Sequence, residues 1–296
     1  MLRRGPVVCW SLVVALLLVG VAGAAKSASI GDPAGDEGSG PGNAPDITSV
    51  SVLNDGSGSL TFRVIVPNRP QLLKDDELCV NLDLDQNPDT GSMFYGADVA
   101  FCYQRTALTF QRPDSAQHFF QPVTAPPSFR GTFNPGVATF YIKTADLGLA
   151  TTSGFNLTAE SHSYWPKGPD YTDSAPDLGT VNYQPGPGTQ PPPLGPDTRP
   201  PFDQAFTAHG MRGKIVDLKI QSSDGRGVSA DTFRVYRRNH LLITHRYSLQ
   251  RKSPFRVYWF PWHPRRRVRV PLRFCVSSVD AAGNKSNKPC AAIVLR

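Results

Sequence analysis

The sequence of 296 residues lacks the short motifs that mark most familiar catalytic centres. It contains no G-x-S-x-G nucleophile elbow, no H-E-x-x-H zinc motif, no P-loop and no dinucleotide-binding glycine fingerprint. No C-x-x-C pair is present, and no histidine stands beside a cysteine, which argues against a zinc site. These absences favour a protein that is not an enzyme.

Long apolar runs are also missing, with one exception near the start of the chain. Arg3 and Arg4 precede an almost unbroken apolar stretch over residues 7–22, and small residues follow it at 22–25. This order is typical of a secretory signal peptide, and the run is shorter than the ~20 residues that span a bilayer. We therefore predict a cleaved signal at residues 1–25, with an uncleaved anchor as the alternative, and a secreted/extracellular or cell-envelope protein.

Cysteine is scarce, and four of the five cysteines lie after the predicted signal. An even count in an exported chain predicts two disulfides. The simplest of the three possible pairings joins neighbours in sequence, Cys79–Cys102 and Cys275–Cys290. If the second pair closes a hairpin, the same register places Asp280 opposite Lys285 as a cross-strand charge pair.

Long segments of helical periodicity are absent, whereas proline and glycine are abundant (28 and 26 residues). Short runs rich in β-branched and aromatic residues recur between turn formers, which predicts an all-β protein. The predicted strands are Ile47–Leu53, Leu60–Val66, Leu78–Asp85, Ala97–Tyr103, Val137–Lys143, Phe155–Glu160, Lys214–Gln221, Thr232–Tyr236, Leu241–Tyr247, Phe255–Phe260, Arg267–Ser278 and Ala291–Leu295.

A Pro/Gly-rich segment at residues 184–201 divides these strands, because proline removes backbone donors and favours extended spacers. We predict a flexible lead-in at 26–45, a β-sandwich domain at 46–183 and a second β-sandwich domain at 202–296. Residues 26–199 carry 19 acidic and 10 basic side chains, whereas residues 200–296 carry 5 acidic and 19 basic ones. The second domain is therefore strongly basic, which bears on its partners.

The acidic stretch at residues 83–98 carries the clearest chemical signal. Oxygen-bearing side chains alternate along a loop closed by glycine, as a hard cation such as Ca²⁺ requires. If Cys79 and Cys102 face each other, Asp83 also faces Asp98, and two opposed carboxylates repel. We predict a structural Ca²⁺ bound by Asp83, Asp85, Asn87, Asp89 and Asp98. The alternative is a turn held by side-chain caps without a metal, and Asp32 and Asp36 are candidates for further oxygens.

The order of motifs in the first half resembles the carbohydrate-binding-module family 9-like (DOMON-like) sandwiches of secreted actinobacterial proteins. The matching residues lie at 32–36, 45–48, 54–55, 83–91, 96–98 and 175–177. The resemblance covers roughly residues 30–183 and implies a jelly-roll-like sandwich with a calcium-stabilised loop. It implies sugar binding only weakly.

The second half is similar to bacterial Ig-like or fibronectin-like repeats. The matching residues form a terminal V-x-x-x-D-x-x-G-N-x-S motif and are Val276, Asp280, Gly283, Asn284 and Ser286. The resemblance implies a small sandwich, and the motif says little about a ligand.

Two surfaces are candidate binding sites. Sugar rings stack on exposed aromatic side chains, for which the candidates are Phe94, Tyr95, Tyr164, Trp165 and Tyr171. Arginines suit phosphate, sulfate or carboxylate groups, and the arginines interleaved with aromatics in the second half are Arg256, Arg265, Arg266, Arg267 and Arg269.

We therefore expect a non-catalytic binding protein whose partner is a glycan or an anionic cell-envelope polymer. No nucleic-acid-binding motif is present, so specific nucleic-acid recognition is not expected. One alternative is a purely structural surface protein that mediates protein–protein contact. The other is an extracellular hydrolase, for which His162 with Ser161, Ser163 and Asp170, or the Asp83–Asp98 carboxylate pair, is the candidate centre.

Overall fold

The computed structural model describes residues 26–36, 43–104, 107–116, 118–163, 171–176, 179–185, 196–264 and 271–296, with only the backbone of residues 171 and 249–259. Within these ranges the chain consists of strands and one short 3-10 helix, η1 (Thr144–Leu147). The all-β sandwich fold predicted from the sequence is confirmed. No helix in the described ranges is long and apolar enough to span a membrane. The predicted signal peptide lies outside them.

Two antiparallel sheets form the first sandwich, which spans residues 26–183. The first sheet has the strand order β1-β2-β3-β9-β8, and the second has the order β11-β10-β4-β5-β6-β7, with β12 also paired to β10. The strands are β1 (Lys26–Gly31), β2 (Ser49–Asn54), β3 (Ser59–Ile65), β4 (Asp76–Asp83), β5 (Val99–Gln104), β6 (Ala107–Pro113), β7 (Phe120–Val123), β8 (Arg130–Asn134), β9 (Val137–Lys143), β10 (Phe155–Ser163), β11 (Tyr171–Ala175) and β12 (Val181–Tyr183).

The core of the first sandwich lies between the two sheets. Alternate residues of β3, such as Phe62 and Val64, face inward and are fully buried, as the period of two along a strand requires. Phe62 contacts Phe101 of the opposite sheet with ring centroids 5.6 Å apart, and Phe101 also contacts Phe140. Strand β4 is buried along its whole length, so its outward face is also covered.

The second sandwich spans residues 202–295 and is built from one connected six-stranded sheet that bends along a long hairpin. Its strands are β13 (Phe202–Ala205), β14 (Ala208–Gly210), β15 (Val216–Arg237), β16 (His240–Trp262), β17 (Leu272–Asp280) and β18 (Cys290–Leu295). The β15–β16 register breaks between Ser223 and Val228. The part of β15 before this break pairs with β13, and the part after it pairs with β17. Apolar side chains from both parts share one core.

Both predicted disulfides are present. Cys79–Cys102 joins β4 to β5, and Cys275–Cys290 joins β17 to β18. The predicted register of the first pair is also confirmed, because Leu82 lies opposite Val99 directly beside the acidic loop.

Two sequence expectations need correction. Residues 26–31 are not a flexible lead-in but strand β1, paired along its length with β2. Lys285 lies opposite Val279, not Asp280. The register slips by one residue between the Cys275–Cys290 pair and this bridge, and Asp280 instead accepts hydrogen bonds from Asn284.

Candidate functional site

The acidic hairpin, residues 83–98, gathers three of the predicted ligands. Asp83 at the end of β4, Asp98 just before β5 and Asp85 between them each offer a carboxylate oxygen, and these oxygens lie within 4.8 Å of one another. Asp83 is buried and Asp85 is exposed. The disulfide register therefore produces the convergence of carboxylates that the sequence predicted.

Burial makes this convergence electrostatically unfavourable. Desolvation raises the pKa of Asp83 to about 7, and the neighbouring Asp85 contributes to the rise. Burial also raises the pKa of Asp98. A bound cation would favour the ionised carboxylates and would reverse these shifts.

Amide groups also stabilise the hairpin. Asp83 Oδ1 and Asp85 Oδ1 each accept the Asn87 N–H at 3.0 Å. Asp83 Oδ2 accepts a hydrogen bond from Asn156 Nδ2 at 2.9 Å, and Asp98 Oδ2 accepts one from the Leu84 N–H at 2.8 Å. The capped turn weighed as the alternative to a metal site is therefore present, and it occupies only part of the oxygen lone pairs.

Two predicted ligands have other roles. Asn87 Oδ1 accepts the Asp89 N–H at 3.1 Å. Asp89 turns away from the three clustered aspartates and accepts two hydrogen bonds from Arg226 of the second sandwich, at 2.7 and 2.5 Å. The prediction that Asp89 belongs to the metal-binding group is therefore wrong, because a cationic partner from the other sandwich takes its carboxylate.

The tip of the hairpin is folded tightly on itself. Gly91 has a φ of +56°, and a Cβ there would lie 2.3 Å from the Gly96 carbonyl oxygen. Gly96 has a φ of +73°, and a Cβ there would lie 2.3 Å from Pro88 Cα. Side chains at these positions would clash with backbone, so both glycines are required for the closed hairpin.

A second acidic cluster forms elsewhere in the first sandwich. Asp32 and Asp36 do not supply oxygens to the hairpin, as one prediction had it, but meet Asp173 of β11. Asp173 Oδ2 accepts the Ile47 N–H at 2.6 Å. Burial raises the pKa of Asp173 to about 7, with smaller contributions from Asp36 and Asp32.

A cleft of about 240 Å³ lies on the outward face of the second sheet of the first sandwich. Its floor is the side of β4, β5, β6 and β10 that faces away from the core, because strand residues alternate between the two faces. The polar side chains on this floor are Glu77, Asn81, Gln104, Gln111, Glu160 and His162. The phenylalanines that line it are Phe94, Phe119 and Phe120.

The floor of the cleft is organised by hydrogen bonds between neighbouring strands. Glu160 accepts from Asn81 Nδ2 at 3.1 Å and lies 3.1 Å from His162 Nε2. Gln104 Nε2 donates to Glu77 Oε1 at 2.6 Å. The cleft therefore offers carboxylates, carboxamides and an imidazole in fixed positions beside aromatic rings.

The acidic hairpin forms one wall of this cleft. Its residues Ser92, Met93 and Phe94 line the cavity, and the His118 ring on the adjacent loop donates from Nδ1 to the Gly91 carbonyl at 2.9 Å. Ser223 of the second sandwich also lines the cleft. Whatever stabilises the hairpin therefore also shapes the cleft.

The cleft was not predicted from the sequence, although the sequence of β4 contains a signal for it. Glu77, Cys79 and Asn81 alternate with Leu78, Val80 and Leu82, so polar groups mark a second, non-core face of an otherwise apolar strand. The other floor residues come from strands distant in sequence, and their proximity depends on the sheet order.

Among the predicted sugar-binding aromatics, Tyr95 is not one of the described residues that line the cleft. Its ring contacts Phe94 with centroids 5.1 Å apart, and its hydroxyl oxygen accepts the Gly179 N–H at 2.8 Å. Tyr164 and Trp165 lie outside the described residues, and of Tyr171 only the backbone, in β11, is described. Of the two hairpin candidates, Phe94 lines the cleft and Tyr95 does not.

The predicted polyanion site falls largely outside the described residues. Arg265, Arg266, Arg267 and Arg269 are not described, and Arg256 is described only as part of the backbone of β16.

The hypothetical catalytic triad is not assembled by the described residues. Ser161 is fully buried and donates its hydroxyl proton to the Pro45 carbonyl. His162, the next residue on β10, faces the opposite side of the sheet and contacts Glu160. Asp170 lies outside the described ranges.

Comparisons with known proteins give only distant similarities. No protein-family model matches the chain, and no curated protein matches it. A structure of Clostridium thermocellum CbhA fibronectin(III)-like modules is 12% identical over 80% of this chain and 85% of that one, with a TM-score of 0.24. Red sea bream transglutaminase is 8% identical over 80% of this chain and 29% of that one, with a TM-score of 0.25.

A three-domain Ig structure of titin is 10% identical over 92% of this chain and 88% of that one, with a TM-score of 0.22. Similarities at this level carry no argument about function.

Proposed function

We propose that this protein is a secreted, non-catalytic binding protein whose first sandwich takes a carbohydrate in the sheet-face cleft. The observation that carries the proposal is the pairing, on one concave surface, of fixed carboxylate and carboxamide groups with aromatic rings. Sugars present hydroxyl groups around the ring edge and apolar C–H groups on the ring face. Polar groups at the floor and phenylalanines in the lining match that pattern.

The size of the cleft favours a small ligand. Its volume of about 240 Å³ lies just below the ~300–1,000 Å³ of typical small-molecule pockets. A single sugar residue or the end of a glycan chain suits such a volume better than an extended polymer. Glu160 and Glu77 would accept hydrogen bonds from sugar hydroxyls, while Gln104 and Gln111 offer both donors and acceptors.

We propose further that a divalent cation, with Ca²⁺ the best fit, supports the cleft from the acidic hairpin. Asp83, Asp85 and Asp98 supply the hard oxygen ligands that Ca²⁺ prefers. The same hairpin places Phe94 in the lining of the cleft. Ligand binding should therefore depend on the cation, although the cation does not touch the ligand.

An extracellular location supports this role. The predicted signal peptide would export the chain, and the two disulfides are typical of proteins from oxidising compartments. The carbohydrate-binding-module family 9-like resemblance of the first half is compatible with a glycan ligand.

The test is a glycan array probed with the full chain in Ca²⁺ and again in EDTA. Phe94→Ala and Glu160→Gln should each lower retention at least tenfold. Tyr141→Ala is the matched control, because Tyr141 is 38% exposed on β9 of the other sheet. Equal retention of Phe94→Ala and Tyr141→Ala would contradict the assignment of the cleft.

A second candidate function rests on the charge of the second half of the chain. Residues 200–296 contain 19 basic and 5 acidic residues. Such a domain would attract anionic wall polymers, and the interleaved arginines from 256 to 269 would supply the contacts. Retention on a heparin column that falls steeply with salt would support this function. This retention on heparin should persist in the Phe94→Ala variant if the glycan site and the basic site are separate.

A further inference from the structure

A third acidic cluster lies where the linker meets the second sandwich. Asp197 stands near the end of the Pro/Gly-rich segment, Asp224 lies at the bend of β15 and Asp280 ends β17. Each offers a carboxylate oxygen, and these oxygens lie within 4.8 Å of one another. We call this group the junction cluster.

Hydrogen bonds hold the junction cluster in place. Asp280 accepts the Asn284 N–H at 2.9 Å and the Asn284 side-chain amide at 2.8 Å. The same side-chain amide donates to the Asp197 backbone carbonyl at 3.1 Å. Asp224 Oδ1 accepts the Arg226 N–H at 2.8 Å. Asp197 Oδ1 accepts the Arg199 N–H at 3.2 Å, so each of the three carboxylates is oriented by its own loop.

One carboxylate oxygen of the cluster lacks a partner. Asp224 is 1% exposed, and its Oδ2 is buried without a hydrogen-bond partner in the part of the chain that the structure describes. Burial first, and then the charges of Asp197 and Asp280, raise the pKa of Asp224 to about 6. A buried carboxylate oxygen without a donor is strongly disfavoured unless a positive group approaches it.

The two nearby arginines already donate hydrogen bonds to groups of the first sandwich. Arg226 binds Asp89 through both oxygens. Arg199 donates to the carbonyl oxygens of Thr90 and Gly91 at 3.0 and 3.3 Å. Among the described residues that interact electrostatically here, there are two guanidinium groups and four carboxylates, those of Asp89, Asp197, Asp224 and Asp280, which leaves a deficit of two positive charges.

We propose that the junction cluster is a second divalent-cation site, formed by Asp197, Asp224 and Asp280 and separate from the acidic hairpin. An ion of charge +2 would match the deficit, and Asp224 Oδ2 would gain the partner it lacks. All three ligands are carboxylates, which favours Ca²⁺ over softer transition metals.

Occupancy of this site would fix the end of the linker against the second sandwich. Asp197 belongs to the linker, whereas Asp224 and Asp280 belong to strands. The bend that carries Asp224 also meets the acidic hairpin, since a Cβ on Gly225 would lie 1.9 Å from the Pro88 carbonyl oxygen. The cation would therefore order the junction between the two sandwiches.

The test uses the full chain carrying Asp83→Asn, so that the hairpin does not contribute. Bound calcium per chain is measured by equilibrium dialysis, and Tm is measured in Ca²⁺ and in EDTA. The Asp83→Asn chain should bind one Ca²⁺ and melt at a higher temperature in Ca²⁺. Adding Asp224→Asn should abolish both effects and raise Tm in EDTA, because a buried, unpartnered charge is removed.

The matched control is Asp217→Asn, the same change at an exposed position of the same strand. It should leave calcium binding and the Tm shift unchanged. Asp197→Asn changes a linker residue outside the β-sheets and should also lose the calcium response, which keeps the test decisive if Asp224→Asn fails to fold. Equal calcium responses in Asp224→Asn and Asp217→Asn, or no calcium bound to the Asp83→Asn chain, would overturn the proposal.

Discussion

The acidic hairpin and the junction cluster each gather three aspartates, but their surroundings differ. In the hairpin the most buried carboxylate, Asp83, accepts amide hydrogen bonds on both oxygens. In the junction cluster Asp224 accepts on one oxygen only, and two arginines stand nearby. Local amides therefore stabilise the carboxylates of the hairpin even without an ion, whereas the carboxylates of the junction cluster depend more on nearby positive charges. The two clusters should respond differently to substitutions and to pH.

The largest effect should come from a substitution that prevents the tip of the acidic hairpin from closing. Gly91→Ala places a Cβ 2.3 Å from the Gly96 carbonyl oxygen at a φ of +56°, and we expect a loss of ~3 kcal/mol or more of the free energy of unfolding. Gly148→Ala is the control, with a φ of +75° and no atom within 4 Å, and should cost only ~1 kcal/mol. Urea unfolding measures both, and equal losses would show that the hairpin is not tightly closed.

Asp83→Asn separates the two clusters by their response to calcium. At a calcium concentration ~100 times Kd, one site stabilises the fold by about 2.7 kcal/mol. The variant should lose the share of calcium stabilisation that belongs to the hairpin and keep the share of the junction cluster. Unfolding in Ca²⁺ and in EDTA checks this, with Asp217→Asn alongside. A variant that keeps the full calcium response would exclude the hairpin as a site.

Arg226→Ala tests the contact that links the two regions. The ion pair with Asp89 is partly exposed, so in EDTA the variant should lose only ~1 kcal/mol, and less at high salt. Removing a positive charge beside the junction cluster should at the same time tighten calcium binding there. Calorimetric titration measures the affinity, with Arg212→Ala at an exposed position as the control. Weaker calcium binding in Arg226→Ala would contradict the inferred deficit of positive charge at the junction cluster.

A pH-dependent effect should come from a carboxylate outside both clusters. Burial raises the pKa of Asp173 from 3.8 to about 7, so the folded state holds this proton more tightly than the unfolded chain. The free energy of unfolding in EDTA should therefore fall as the pH rises from 3.8 towards 7. Asp173→Asn cannot titrate and should show a shallower fall over that range. Parallel profiles of Tm against pH for the two proteins would show that Asp173 does not cause the fall in stability.

The sequence predicted the parts of the site that depend on local register. Cys79 opposite Cys102 was enough to place Asp83 beside Asp98, because this antiparallel ladder continues without a register shift up to the acidic loop. Asp89 could not be placed in the same way. Its partner, Arg226, lies 137 residues away across the linker, and no sequence pattern reports such a contact.

The strands that were not predicted from the sequence have weak strand propensity in their own residues. β1 consists largely of small polar residues, and it forms because β2 offers an edge to pair with. β6 and β7 contain proline and polar residues, which lower strand propensity, and β7 lies at a sheet edge. The cleft was missed for a related reason, since its floor combines side chains from four strands whose order the sequence does not reveal.

The melting temperature of the full chain, measured at pH 7.5 in EDTA and then with added calcium, tests the central claim most directly. Buried aspartates that require a cation predict a clear rise with calcium and a smaller one with magnesium, whose octahedral geometry fits such loops less well. Identical melting temperatures in EDTA and in calcium would contradict the claim that these carboxylates are cation sites.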